Sequence, residues 1–88
     1  MNWVSKFARE AEKQFRRLPR DRREQLTKTI DELTKNPFLG DVRLVKSGEF
    51  KSAWRQRVGN YRIFFALDEI EKLVNILSIK KRDEKTYR

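Results

Sequence analysis

Trp54-Arg55-Gln56-Arg57-Val58-Gly59-Asn60-Tyr61-Arg62-Ile63-Phe64-Phe65 reads as a β-hairpin. β-Branched and aromatic residues flank Gly59-Asn60, a two-residue loop of the primed-turn kind. With that loop fixed, Val58 stands opposite Tyr61, Arg57 opposite Arg62, Gln56 opposite Ile63, Arg55 opposite Phe64 and Trp54 opposite Phe65. Side chains alternate along a strand. One face therefore carries Lys51, Ala53, Arg55, Arg57, Arg62, Phe64 and Ala66. The other carries Trp54, Gln56, Val58, Tyr61, Ile63, Phe65 and Leu67 and is the face to bury.

Working outward, the pattern predicts strands at 42–46, 51–58, 61–67 and 72–79. The last two are joined across Asp68-Glu69-Ile70-Glu71. Upstream of Gly40 the period changes. Phe7, Ala11, Phe15 and Leu18 form one helical stripe, ended at Leu18-Pro19 because the residue before proline avoids the α region. Leu26, Ile30 and Leu33 mark a second helix over 20–35, stopped at Asn36-Pro37. Two residues between the helices imply an antiparallel hairpin. Residues 2–6 read as a short first strand. The expected fold is α+β: an N-terminal strand and a helical hairpin packed on an antiparallel meander, in one domain over 1–88.

The chain has 88 residues, 22 Lys and Arg against 13 Asp and Glu, and a formal net charge of +9. An anionic partner is expected. No Cys and no His are present. Disulfides, thiolate chemistry, imidazole bases and His-ligated metals are thereby excluded, so no metal or cofactor is expected. No apolar run approaches the length of a transmembrane helix, and the opening residues lack a signal-type apolar stretch; a cytoplasmic protein is expected.

The charge is uneven. Residues 46–62 hold five basic side chains against Glu49 alone, and residues 80–88 hold five against Asp83 and Glu84. Residues 6–35 mix ten basic with six acidic residues, as on an ordinary solvated helix surface. Arg57 opposite Arg62 is a like-charge pair, which destabilises a sheet unless an anion lies between. Arginine suits bidentate contact with phosphate. Phe64, among these arginines, is read as packed under a short C-terminal helix, with stacking on a nucleobase as the alternative. Tyr87 stands among the cations of the tail, which stabilise a phenolate.

Four stretches resemble the RelE/ParE superfamily of toxins from type II toxin–antitoxin systems. They are Phe7-Ala8 to Leu18-Pro19, the Asn36-Pro37 stop, Trp54 to Ile63, and Lys81-Arg82 with Tyr87-Arg88. The RelE branch is the nearer in pattern. The resemblance implies a microbial-ribonuclease-like architecture and a ribosome-dependent endoribonuclease. It would cut mRNA in the 30S A site by attack of a ribose 2′-OH on the adjacent phosphate, inhibiting translation. It further implies that Arg62 binds the scissile phosphate and that Arg82 stabilises charge or protonates the leaving oxygen. Tyr87 would act as general base or stack on a base, and Arg55 would support transition-state charge. Lys51, Arg57, Lys80 and Lys81 would bind RNA.

A cognate antitoxin, mRNA and the ribosome are the implied partners, with no membrane. Three departures stand out, the first being Arg55 where the pattern has lysine; arginine keeps the charge but does not deprotonate. Ala53 occupies a position where the ribosome-dependent pattern has lysine, with Lys51 as a substitute, and Tyr87 follows Arg82 by five residues where some members have six. The alternatives are a ParE-type inhibitor of DNA gyrase that is not an enzyme, and a nucleic-acid-binding homologue weakened in catalysis.

Overall fold

A computed structural model describes residues 3–38 and 40–81. The elements in chain order are β1 (Val4–Phe7), α1 (Arg9–Arg16), α2 (Arg20–Lys35), β2 (Val42–Leu44), β3 (Trp54–Val58), β4 (Tyr61–Asp68) and β5 (Leu73–Lys81). All seven expected elements form.

The strands make one five-stranded sheet in the order β1-β5-β4-β3-β2. From β2 to β5 it is the expected antiparallel meander. β1 enters beside β5 and runs parallel to it, with Val4 opposite Leu73 and Phe7 opposite Ile76, so the sheet is mixed. Hydrophobic pattern alone does not specify which strand a short N-terminal segment joins.

The β3–β4 register is the one the Gly59-Asn60 turn dictates, from Val58 opposite Tyr61 to Trp54 opposite Phe65. Gly59 has φ +57°, the left-handed conformation a primed hairpin turn needs and glycine adopts without penalty. One face of the sheet meets the helices. Ala11, Leu26, Ile30, Leu33, Val58, Ile63, Phe65, Val74, Ile76 and Ile79 form the buried core, with Trp3, Phe7, Phe15, Leu18, Trp54 and Tyr61 packed around it.

Several boundaries differ from expectation. Phe7 lies in β1 rather than opening α1, because its backbone pairs with Ile76 and Ala8 N–H donates to the Ile76 carbonyl. Its ring still meets Phe15 edge-on at 5.4 Å between centroids, so the stripe reported a true contact across an element break. β2 stops at Leu44, two residues early.

β3 begins at Trp54 rather than at residue 51, since Lys51 to Ala53 form a turn. Ser52 has φ +77°, Ala53 N–H donates to the Phe50 carbonyl, and Ser52 N–H donates to the Val45 carbonyl. A non-glycine residue in that region costs about 1–2 kcal/mol. The turn interrupts the alternation that would have carried Lys51 onto the β3 face.

β5 carries a bulge. Phe64 pairs with Ser78 and Phe65 with Ile76, leaving Leu77 as the extra residue. β1 pairs with β5 no further than Ile76, so the edge beyond needs other partners. Gln14 of α1 supplies one. Its Oε1 accepts hydrogen bonds from the Ile79 backbone N–H at 2.6 Å and the Ser78 hydroxyl at 3.1 Å. This side chain fastens α1 to the bulged strand. Among the described residues no helix is long and apolar enough to cross a membrane.

Candidate nucleic-acid interface

The face of the sheet turned away from the helices is cationic. Residues directly opposite on paired strands share a face. Arg57, Arg62 and Lys80 thus form one row across β3, β4 and β5. Arg43 and Arg55 begin the next row, which continues to Phe64 on β4. Each like-charge neighbour opposes folding by a few tenths of a kcal/mol, about 0.2–1 by analogy with favourable cross-strand pairs. Arg43 with Arg55 makes one such pair and Arg57 with Arg62 a second, with Lys80 beside Arg62.

A cleft of about 390 Å³ opens on this face, lined by Leu44, Val45, Lys46, Ser47, Glu49, Phe50, Arg55, Arg62 and Phe64. β3 and β4 supply Arg55 and Arg62 from the sheet floor, and the chain between β2 and β3 forms the wall. Phe50, from that wall, stacks on Phe64 with centroids 4.7 Å apart and planes inclined by 20°. The ammonium of Lys80 lies 5.8 Å from the Phe50 centroid, within cation–π range. Phe64 is buried. It is packed, as expected, but under Phe50; the C-terminal segment expected to cover it lies mostly outside the described residues.

The expected site residues fall into three groups. Arg55, Arg57, Arg62 and Lys80 share the cationic face, and of these Arg55 and Arg62 line the cleft. Lys81 ends β5 opposite Tyr61 and is exposed. Lys51 sits in the turn before β3 and does not line the cleft. Arg82 and Tyr87 lie outside the described residues.

A family profile described as "ParE toxin of type II toxin-antitoxin system, parDE" matches residues 5–86. The chain belongs to the ParE toxin family. It is a toxin of a type II toxin–antitoxin system within the RelE/ParE superfamily.

Solved structures agree on the fold of this ParE-family toxin. It superposes on the RelBE2 toxin–antitoxin complex from Mycobacterium tuberculosis with a TM-score of 0.81 at 19% identity, covering 93% of this chain and 100% of the other. It superposes on the archaeal RelE–RelB complex from Pyrococcus horikoshii with a TM-score of 0.80 at 23% identity, covering 96% and 99%. It also superposes on the YoeB/ParE toxin from Agrobacterium tumefaciens with a TM-score of 0.74 at 13% identity, covering 91% and 99%. A search of curated protein sequences finds no match.

Four residues of the toxin's cationic face escaped the sequence reading as site residues. Arg43 was signalled weakly: Val42 and Leu44 alternate around it, but only the β2–β3 register places it opposite Arg55. Lys46, Glu49 and Phe50 belong to the irregular wall, whose folding back over the sheet leaves no periodic signature.

Proposed function

We propose that this toxin is an endoribonuclease that cuts mRNA on the ribosome and so inhibits translation. The observation that carries the reading is the cleft itself. Lys46, Arg55 and Arg62 line one cavity on a sheet face that gathers Arg43, Arg57 and Lys80 beside them, a concentration of positive charge that suits a polyanion. Cations fixed around a phosphodiester stabilise the charge that grows when a 2′-oxygen attacks phosphorus. In that step the 2′-oxygen–phosphorus bond forms, the bond from phosphorus to the 5′-oxygen breaks, and a 2′,3′-cyclic phosphate and a 5′-hydroxyl result.

Arg62 holds the scissile phosphate and Arg55 supports the transition-state charge. Lys46 takes the role for which the sequence suggested Lys51. Arg82 stabilises charge at the leaving oxygen. Tyr87 accepts the proton of the 2′-hydroxyl or stacks on a base, and Glu49, the one carboxylate among the described residues that line the cleft, offers a second acceptor. No cofactor enters this chemistry. The ribosome supplies substrate orientation, which is worth several kcal/mol when a site lacks a strong base of its own, and the toxin therefore acts in the cytoplasm.

A cognate antitoxin is the second partner. The M. tuberculosis and P. horikoshii relatives were solved as complexes with antitoxins. A cationic face of this kind is complemented by an acidic chain that folds on binding.

One finding favours a second reading. The matching family profile is that of ParE, whose members resemble non-enzymatic gyrase inhibitors. Induced expression of wild type, Arg62→Ala and Tyr87→Phe, with primer extension on a translated mRNA, separates the two. The ribonuclease produces discrete cuts within reading frames that both substitutions abolish. Growth arrest without cuts, undiminished by either substitution, gives the gyrase reading.

A further inference from the structure

A second cavity, of about 310 Å³, adjoins the cleft on the same face and is lined by Asp41, Arg43, Arg55 and Arg57. Arg43 and Arg55 stand opposite each other across β2 and β3. Arg57 is two residues along β3 from Arg55, and so on the same face about 7 Å away. Three guanidinium groups therefore surround one small volume. The one acid among the described residues that line it, Asp41, accepts a long hydrogen bond from Arg43 Nε at 3.4 Å, an ion pair in which both side chains are more than half exposed. A pair so exposed contributes little to stability. Arg55 lines both cavities.

We propose that Arg43, Arg55 and Arg57 form a second anion subsite that binds a phosphodiester of the same single-stranded nucleic acid whose neighbouring phosphate occupies the cleft. The inference rests on the nucleic-acid reading of the face and extends it. Arg55, shared by both cavities, fits two phosphates of one chain rather than two independent ions. The subsite therefore fixes the strand's course: it crosses the sheet from the Arg62 cleft toward the β2 edge. Arg43 serves as a positioning residue, gripping the strand while the reacting phosphate lies elsewhere.

The test uses the full-length toxin and a fluorescent, uncleavable 2′-O-methyl oligoribonucleotide of six nucleotides, titrated by anisotropy at several salt concentrations. Arg43→Ala is expected to weaken binding about 5–30-fold and to reduce the slope of log affinity against log salt by about one phosphate contact. Arg43→Lys is expected to restore the slope and part of the affinity, which a purely structural role for the guanidinium would not produce. Equal affinity and slope for wild type and Arg43→Ala overturn the subsite, even if the wild type cuts mRNA. Wild type that binds the strand with Arg43-dependent slope but cuts nothing leaves the subsite standing and overturns the ribonuclease reading. Failure of the wild type to bind the strand overturns the subsite, while cleavage of ribosome-bound mRNA by the same preparation keeps the ribonuclease reading.

Discussion

Arg57 and Arg62 face each other across the β3–β4 hairpin, two cations on the same side of neighbouring strands. Lys80 extends the row onto β5. The arrangement opposes folding and favours an anionic ligand, and the two consequences separate experimentally. Arg57→Gln is expected to stabilise the toxin by about 0.2–1 kcal/mol, seen as a higher urea midpoint with an unchanged slope. The same variant is expected to bind single-stranded RNA more weakly. A lower midpoint would show that Arg57 has a structural role.

Gln14 ties α1 to the bulge of β5 through two accepted hydrogen bonds. Leucine in its place leaves the Ile79 N–H and the buried Ser78 hydroxyl without that acceptor. Gln14→Leu is expected to cost about 1–3 kcal/mol. Equilibrium unfolding measures the loss, and amide exchange at Ile79 locates it.

Gln56 points to the core side of β3, and among the described residues its buried Oε1 has no hydrogen-bond partner. Its Nε2 donates only a long bond, 3.4 Å, to the Arg57 carbonyl. An unsatisfied buried acceptor costs about 1–3 kcal/mol, more than one weak bond returns. Gln56→Met, similar in shape and apolar, is expected to raise the melting temperature by a few degrees. A lower melting temperature would contradict this reading.

Ile63 is fully buried at the centre of β4, between Gln56 of β3 and Ile79 of β5. Ile63→Ala is expected to destabilise by about 2–5 kcal/mol, measured by urea unfolding. The paired control Ile70→Ala, at a site 91% exposed in the β4–β5 turn, is expected to change stability by less than about 0.5 kcal/mol.

The hairpin and its faces were legible because Gly59-Asn60 fixes a register, and a register fixes which side every neighbouring side chain takes. Arg55, Arg57 and Arg62 on one face and Ile63 and Phe65 on the other follow from that turn alone. The helices were legible from their stripes and from Pro19 and Pro37. Long-range and irregular features were not. The parallel pairing of β1 with β5 joins segments some 70 residues apart with no turn to set it. The left-handed Ser52 looks like any serine in a strand-like run, so Lys51 was carried onto the face and Lys46, which lines the cleft, was passed over. Phe50 over Phe64 is a loop contact with no period to betray it.

Cleavage chemistry at the Arg62 cleft is the central claim. Its most direct measurement adds purified toxin to ribosomes programmed with a defined mRNA and determines the ends of the fragments, with Arg62→Ala in parallel. The predicted result is mRNA cut within the reading frame, with a 2′,3′-cyclic phosphate on the upstream fragment and a 5′-hydroxyl on the downstream one. The rate should fall about 10²–10³-fold in Arg62→Ala, the scale seen when one fixed charge-stabilising donor is removed. Intact mRNA under these conditions, together with inhibition of DNA gyrase supercoiling by the same preparation, would contradict it.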